Sequence, residues 1–177
     1  MLKLFLHIGP HKTGTTSFQK YCYDNYHRLL KLGICYPRFK GEKHHHGVIC
    51  SDFFQDESFC FTLRDKIISE AVKNKCEIVV VSSEMFGELL INHPKKFEIL
   101  IDFLKSDFNF SIIYVERNIE EITKSGFYHF LRIINSTNIS FLSKQFNIPV
   151  NMENLSFDPK VAKTCIKSWI SKMYDKI

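Results

Sequence analysis

The sequence predicts an α/β protein in which helices cover a mostly parallel central sheet in three αβα layers, and three observations predict it. The run EIVVVSSE (77–84) is β-branched with no polar interruption, and FSIIYVER (110–117) is a further apolar run, as expected of strands buried on both faces. Between and before them, residues 59–75, 85–91 and 95–106 carry apolar residues at helical spacing. The chain also opens with an apolar run, KLFLHI (3–8), that ends at Gly9 and leads through a second glycine into another helical pattern. Strands alternating with helices specify a layered fold on a parallel sheet.

In order, residues 3–8 form the first strand and 15–32 a helix that Gly33 stops. A short extended piece, ICYP (34–37), leads into RFKGEKHHHG (38–47), which is polar and aperiodic and reads as a surface loop. The helix at 59–75 precedes the strand at 77–84. Helices at 85–91 and, after Pro94, at 95–106 precede the strand at 110–117. Further helices are expected near 119–132, 137–146 and 159–175, with a loop around 149–158. No repeat, low-complexity tract or Pro/Gly-rich linker divides the chain, so residues 1–177 read as a single domain.

Ligands of open α/β sheets bind beyond the carboxyl ends of the strands. Those ends deliver Gly9 to Thr16, Ser82 to Glu84 and Glu116 to Asn118 to one rim. Composition agrees with a globular unit: of 177 residues, 45% are hydrophobic and 17 are phenylalanine, enough for a core. A net charge of +5 suits an anionic ligand, but the lysines are dispersed and no nucleic-acid reading module is present. The six cysteines form no CxxC pair, and several lie in apolar segments, which fits a reducing compartment. The opening run MLKLFLHIG is too short for a signal peptide or a membrane span, so the expected location is cytoplasmic, with no transmembrane segment.

The segment HIGPHKTGTTSFQ (7–19) sets Gly9 and Gly14 at the spacing of a phosphate-binding GxxxxGK[ST] loop. Thr15 stands where that pattern has lysine and Thr16 where it has the hydroxyl, while the lysine, Lys12, lies inside the loop. Such a loop still cradles a phosphate, because glycines turn backbone N–H groups inward and the next helix offers free amides and its positive dipole end. Thr15, Thr16 and Ser17 add hydroxyls there. A lysine on the loop can stand beside the bridging oxygen of a leaving group, where charge grows as a bond breaks, and needs no metal to do so.

These residues carry a resemblance. HIGPHKTGTTSFQ looks like the 5′-phosphosulfate loop of sulfotransferases that use 3′-phosphoadenosine 5′-phosphosulfate (PAPS), especially the bacterial and carbohydrate-directed branch with HKTGTTS, on a fold like that of P-loop nucleoside triphosphate hydrolases. The resemblance implies that Lys12 contacts the 5′-phosphate and the bridging oxygen, and that Thr13, Gly14, Thr15, Thr16 and Ser17 hold the phosphate. It also implies a 3′-phosphate site made by an arginine at a strand end and a serine eight positions on. Arg117 and Ser125 have that spacing, and an arginine fork pairs well with a phosphate. An arginine after a strand is by itself equally a helix-start ion pair, with Glu120 or Glu121.

Sulfuryl transfer needs a base opposite the leaving group. Glu84, on the correct rim, is the best-placed carboxylate, either as that base or in the first turn of a helix capped by Ser82 or Ser83. His44, His45 and His46 are adjacent and lack companions for a tetrahedral metal set, so no metal is assigned. Similar bacterial proteins have a histidine pair in this loop, which makes His45 and His46 alternative bases or sugar-binding groups. His7 reads as a packed side chain and His11 as loop lining, neither with a catalytic task. Trp169 and most of GFYHFLRII (126–134) read as helix core.

The C-terminal third departs from the resemblance, since DPKVAKTCIKSWISKMYDKI (158–177) has no glycine with which to build the family's second cofactor loop. The chain is then either a compact variant or a truncated relative. The expected function is transfer of a sulfuryl group from PAPS to a hydroxyl or amine, on a carbohydrate or glycolipid acceptor. The alternatives are a P-loop kinase of small molecules and a non-catalytic nucleotide-binding remnant.

Overall fold

A computed structural model describes residues 1–9, 14–39 and 44–115, together with positions 118, 120, 121, 125, 160, 161, 164 and 168. The chain divides into two compact units, Met1–Gly9 with Gly14–Val115, and Pro10–Thr13 with Glu116–Ile177.

The first unit contains β1 (Lys3–Ile8), α1 (Thr15–Asp24), α2 (Tyr26–Lys31), β2 (Ile34–Cys35), α3 (Gly47–Gln55), α4 (Phe59–Lys73), β3 (Ile78–Ser82), α5 (Met85–Asn92), α6 (Pro94–Asp107) and β4 (Asn109–Tyr114). Its four strands are all parallel and lie in the order β2-β3-β1-β4. Helices cover both sides of the sheet, so the α/β class and the parallel sheet are as expected.

Alternation along the strands sorts the two faces. Leu4, Leu6 and Ile8 of β1, with Val79 and Val81 of β3, join Phe53, Leu63, Phe86 and Leu100 of the helices α3 to α6 in the main core. Burial of each such side chain contributes about 1.5–3 kcal/mol. The opposite face is smaller: Val80 of β3 packs with Cys22, Leu29 and Tyr36 beneath α1 and α2. Gly33, at φ +74°, ends α2 in the left-handed region, and its carbonyl accepts the N–H groups of Glu77 and Ile78, which starts β3.

Three details differ from the sequence reading. The helix expected over 15–32 breaks at Asn25, whose N–H and side-chain amide both bond the Tyr21 carbonyl. Residues 47–55 form a helix, α3, that the sequence reading did not assign, because its apolar face rests on only Ile49, Cys50 and Phe53 behind a polar stretch. β4 is an edge strand among the described residues, with Ile112 and Ile113 44% and 37% exposed, so its apolar run is not covered on both faces.

Cys22, Cys35, Cys50, Cys60 and Cys76 are buried free thiols, as their apolar settings suggested. Burial pushes Cys22 and Cys60 up to about 11 and Cys35 up to about 12. Among the described residues no helix is long and apolar enough to cross a membrane. In the second unit, Glu120 and Glu121 are helical and exposed, Asn118 Oδ1 accepts the Glu120 N–H at 2.9 Å, and Ser125 is helical and half-buried. Lys160, Val161, Thr164 and Ser168 are helical and exposed, within the helix expected over 159–175.

Candidate functional site

The strand order creates a crevice. From β1 the chain moves outward past β3 to β2, whereas from β3 it crosses β1 to reach β4. Right-handed crossovers in opposite directions lie on opposite faces, so the carboxyl ends of the adjacent strands β1 and β3 open into a topological switch point. His7 and Ser82 are register partners at that end, and the Ser83 N–H donates to the His7 carbonyl at 3.2 Å.

Two segments meet there. After β1 comes Gly9, and α1 starts on Gly14, whose φ of +85° is left-handed and open to a glycine at no steric cost. Among the described residues no side chain caps α1; the Ser17 N–H bonds the Gly14 carbonyl at 3.2 Å, and the amides before it and the positive dipole end are left to the turn. After β3 come Ser83 and Glu84, and Ser83 Oγ accepts the Met85 N–H at 3.2 Å at the start of α5. Glu84 occupies the N-cap position of α5 but makes no side-chain cap bond, and its carboxylate is directed elsewhere.

Glu84 reaches across to α1. The Thr15 hydroxyl donates to its Oε1, and Gln19 Nε2 donates to its Oε2 at 3.1 Å. Gln19 lies one turn after Thr15 on the same helix face and also donates to Ser82 Oγ at 3.2 Å. Ser82 Oγ in turn lies 2.7 Å from His7 Nδ1. All five side chains are buried, so the crevice floor is a polar network closed over apolar strands.

A second histidine closes the wall. His46 Nδ1 accepts the Ser82 N–H at 2.8 Å, its Nε2–H donates to the Pro37 carbonyl at 2.7 Å, and its own N–H donates to the Ser82 carbonyl at 2.9 Å. Burial holds it neutral, with its pKa driven down to about 3. His45 Nδ1 accepts the Gly47 N–H at 3.1 Å, and the His44 ring stands edge-on to it at 5.5 Å. The triple histidine thus turns to separate local contacts.

α5 supports the turn from beneath. A Cβ on Gly87 would stand 2.9 Å from the Gly9 carbonyl oxygen, so the helix lies against the backbone that ends β1. Between α3 and α5 an open groove of about 310 Å³ is lined by Cys50, Phe54, Met85, Glu88, Leu89 and His93, among others, and Met85 directly follows Glu84.

Of the residues singled out from sequence, Gly14, Thr15 and Glu84 meet at this crevice, and Thr16 and Ser17 are exposed on the first turn of α1. Ser125 belongs to the second unit. Lys12, Thr13 and Arg117 lie outside the described residues, as does His11. Ser82, read from sequence as a rim residue and a candidate helix cap, instead bonds Gln19 and His7. Gln19 and Gly87 were missed, and a glutamine four residues after Thr15 on a helix was the available signal. The chain was compared with known protein families, curated proteins and solved structures, and it matches none of them.

Proposed function

We propose that this protein is a cytoplasmic sulfotransferase that moves a sulfuryl group from PAPS to a hydroxyl or amine of a carbohydrate or glycolipid acceptor. The observation that carries the reading is the uncapped start of α1 on a left-handed glycine, placed at the switch point beside Glu84. The helix end and Gly14 fit a 5′-phosphate electrostatically and sterically. The HKTGTTS resemblance supplies the donor's identity.

In this reading the acceptor oxygen or nitrogen attacks sulfur while the bond from sulfur to the bridging phosphate oxygen breaks. Lys12 offsets the charge that develops on that oxygen, and the α1 amides with Thr13, Thr15, Thr16 and Ser17 hold the 5′-phosphate. Arg117 and Ser125 take the 3′-phosphate. Glu84 receives the acceptor proton, with Thr15 and Gln19 orienting its carboxylate. The groove between α3 and α5 includes Met85, the residue after Glu84, and is a candidate acceptor site, though the Glu84 carboxylate itself turns toward α1.

One observation favours a second reading. Glu84 sets a carboxylate at the adjacent strand end against the first turn of α1, as P-loop kinases and related NTPases set one for magnesium, but the hydroxyl it bonds is Thr15, in the lysine position, and not Thr16 in the magnesium-binding one. Calorimetric titration with 3′-phosphoadenosine 5′-phosphate, beside ATP with magnesium, separates the two. Metal-independent binding of the bisphosphate, weakened about 10- to 100-fold by Arg117→Ala and by Lys12→Ala, is the expected result. Magnesium-dependent ATP binding overturns it for the kinase. Bisphosphate binding without sulfuryl transfer to any tested acceptor leaves a nucleotide-binding remnant.

A further inference from the structure

His7 is 1% exposed, and its Nε2 has no hydrogen-bond partner. An unpaired buried N–H or ring nitrogen costs about 1–3 kcal/mol, so the fold holds this one at a loss. Its direction is defined by Gly9: a Cβ built there would stand 3.7 Å from Nε2, so the nitrogen faces the space that a side chain at Gly9 would fill. That space lies at the carboxyl end of β1, also within 3.6 Å of the Val115 carbonyl oxygen.

The proton on His7 is fixed by its neighbours. Glu84 is an acceptor, so the Gln19 amide is oriented with its NH2 group toward Glu84 and Ser82. Ser82 Oγ therefore accepts from Gln19, and its own proton has His7 Nδ1, at 2.7 Å, as its acceptor. The tautomer that uses this proton has Nδ1 accepting and the hydrogen on Nε2. In the other, Ser82 Oγ would accept from both groups and its proton would have no acceptor among the described contacts; the former is the assignment that the test below checks. Burial lowers the His7 pKa and keeps the ring in this neutral tautomer, although Glu84 pulls the other way.

We propose that His7 is a further ligand-binding residue, whose Nε2–H is a donor to a phosphate or sulfate oxyanion held at the end of β1 and the start of α1. The inference rests on the anion-binding reading of that turn, though not on the identity of the nucleotide. Two independent features converge on it: a ten-residue helix that starts on a left-handed glycine with no side-chain cap among the described residues, and a buried, partnerless nitrogen near the end of the strand that precedes it. Glycine at position 9 then has a role beyond the turn, because any side chain would stand over the donor while meeting neighbours only at ordinary contact distances.

The test uses the full chain labelled with ¹⁵N-histidine, and the probe is inorganic pyrophosphate, followed by 3′-phosphoadenosine 5′-phosphate. The His7 ring, assigned by its loss in a variant, is expected as the Nε2–H tautomer, and its Nε2 resonance is expected to move on saturation with pyrophosphate. His7→Asn keeps an acceptor for Ser82 but has no donor at the Nε2 position, and should bind pyrophosphate about tenfold more weakly. His7→Gln, whose amide reaches that position, should recover most of the affinity. Gly9→Ala should weaken binding similarly while its thermal midpoint stays close to that of the parent.

An Nδ1–H tautomer, a resonance that pyrophosphate leaves unmoved, or equal affinities for His7→Asn and His7→Gln overturns the proposal. If pyrophosphate moves the resonance but the bisphosphate nucleotide binds no better than pyrophosphate, His7 stands as the donor and the sulfotransferase reading falls. If the nucleotide binds tightly while His7 stays silent, the donor is refuted and that reading survives. If neither probe binds, both are refuted.

Discussion

The Thr15 hydroxyl donates to the Glu84 carboxylate, joining the first residue of α1 to the second residue after β3 across 69 positions of sequence. Both groups are buried. The bond therefore commits the Thr15 hydroxyl proton, so in the proposed anion site Thr15 would contribute its backbone N–H, and Thr16 and Ser17 their hydroxyls.

A double-mutant cycle measures that tie. Thr15→Val removes the donor and Glu84→Gln removes the charge, and each should cost about 1–3 kcal/mol in denaturant unfolding. The double variant should fall short of the sum by roughly 1 kcal/mol or more. Additive costs would mean that the two side chains do not interact in solution.

Gly87→Ala should disturb the site from below. Its methyl group would meet the Gly9 carbonyl oxygen at 2.9 Å, a backbone atom that cannot rotate away. The expected cost is about 1–3 kcal/mol, with weaker binding of the bisphosphate nucleotide. Gly33→Ala is the control, since open space surrounds that position and only its φ of +74° resists a side chain. It should cost about 1 kcal/mol and leave nucleotide affinity unchanged.

Acid should weaken the fold through His46. Its pKa is about 3 when folded against an ordinary 6.5, so the unfolded chain binds the proton first. The stability held by the neutral ring is complete above pH 6.5 and is lost as pH falls toward 3. Between pH 7 and pH 5 the loss should reach about 2 kcal/mol. His7, also lowered by burial, adds in the same direction. His46→Asn, which keeps an acceptor for the Ser82 N–H, should flatten the profile over that window. An equally steep profile would place the titration on other groups.

Much of this was legible in the sequence. The parallel sheet followed from β-branched runs because strands covered on two faces cannot alternate in polarity, and Gly33 followed from its position after a helical pattern. The rim residues Gly14 and Glu84 followed from the rule that parallel strands present their carboxyl ends to ligands. Gln19 did not, nor did the bonds of Ser82, because a buried polar side chain is recognisable only by its partners, and Gln19 lies 63 and 65 positions from Ser82 and Glu84. The use of His46 was hidden for the same reason: its bonds go to backbone groups of residues 37 and 82, which carry no sequence signal.

The thiols should be chemically silent. Cys22, Cys35, Cys60 and Cys76 are buried, and burial raises the pKa of each. Iodoacetamide at pH 8 should leave these four unmodified in peptide mass spectra of the native protein and label all of them in denaturant. Native labelling of any one would show that its segment opens.

The order β2-β3-β1-β4 also has a consequence for biosynthesis. Among the described residues no strand pairs with its neighbour in sequence except β2 with β3, and β1, one of the two inner strands, is the first to be made. His7 waits for Ser82, 75 residues later, before its strand has any partner. At about 5–20 residues per second, that leaves an apolar strand unpaired for roughly 4–15 s on each nascent chain. The residues that give the crevice its floor are therefore the ones that a ribosome-bound chaperone has the longest opportunity to hold.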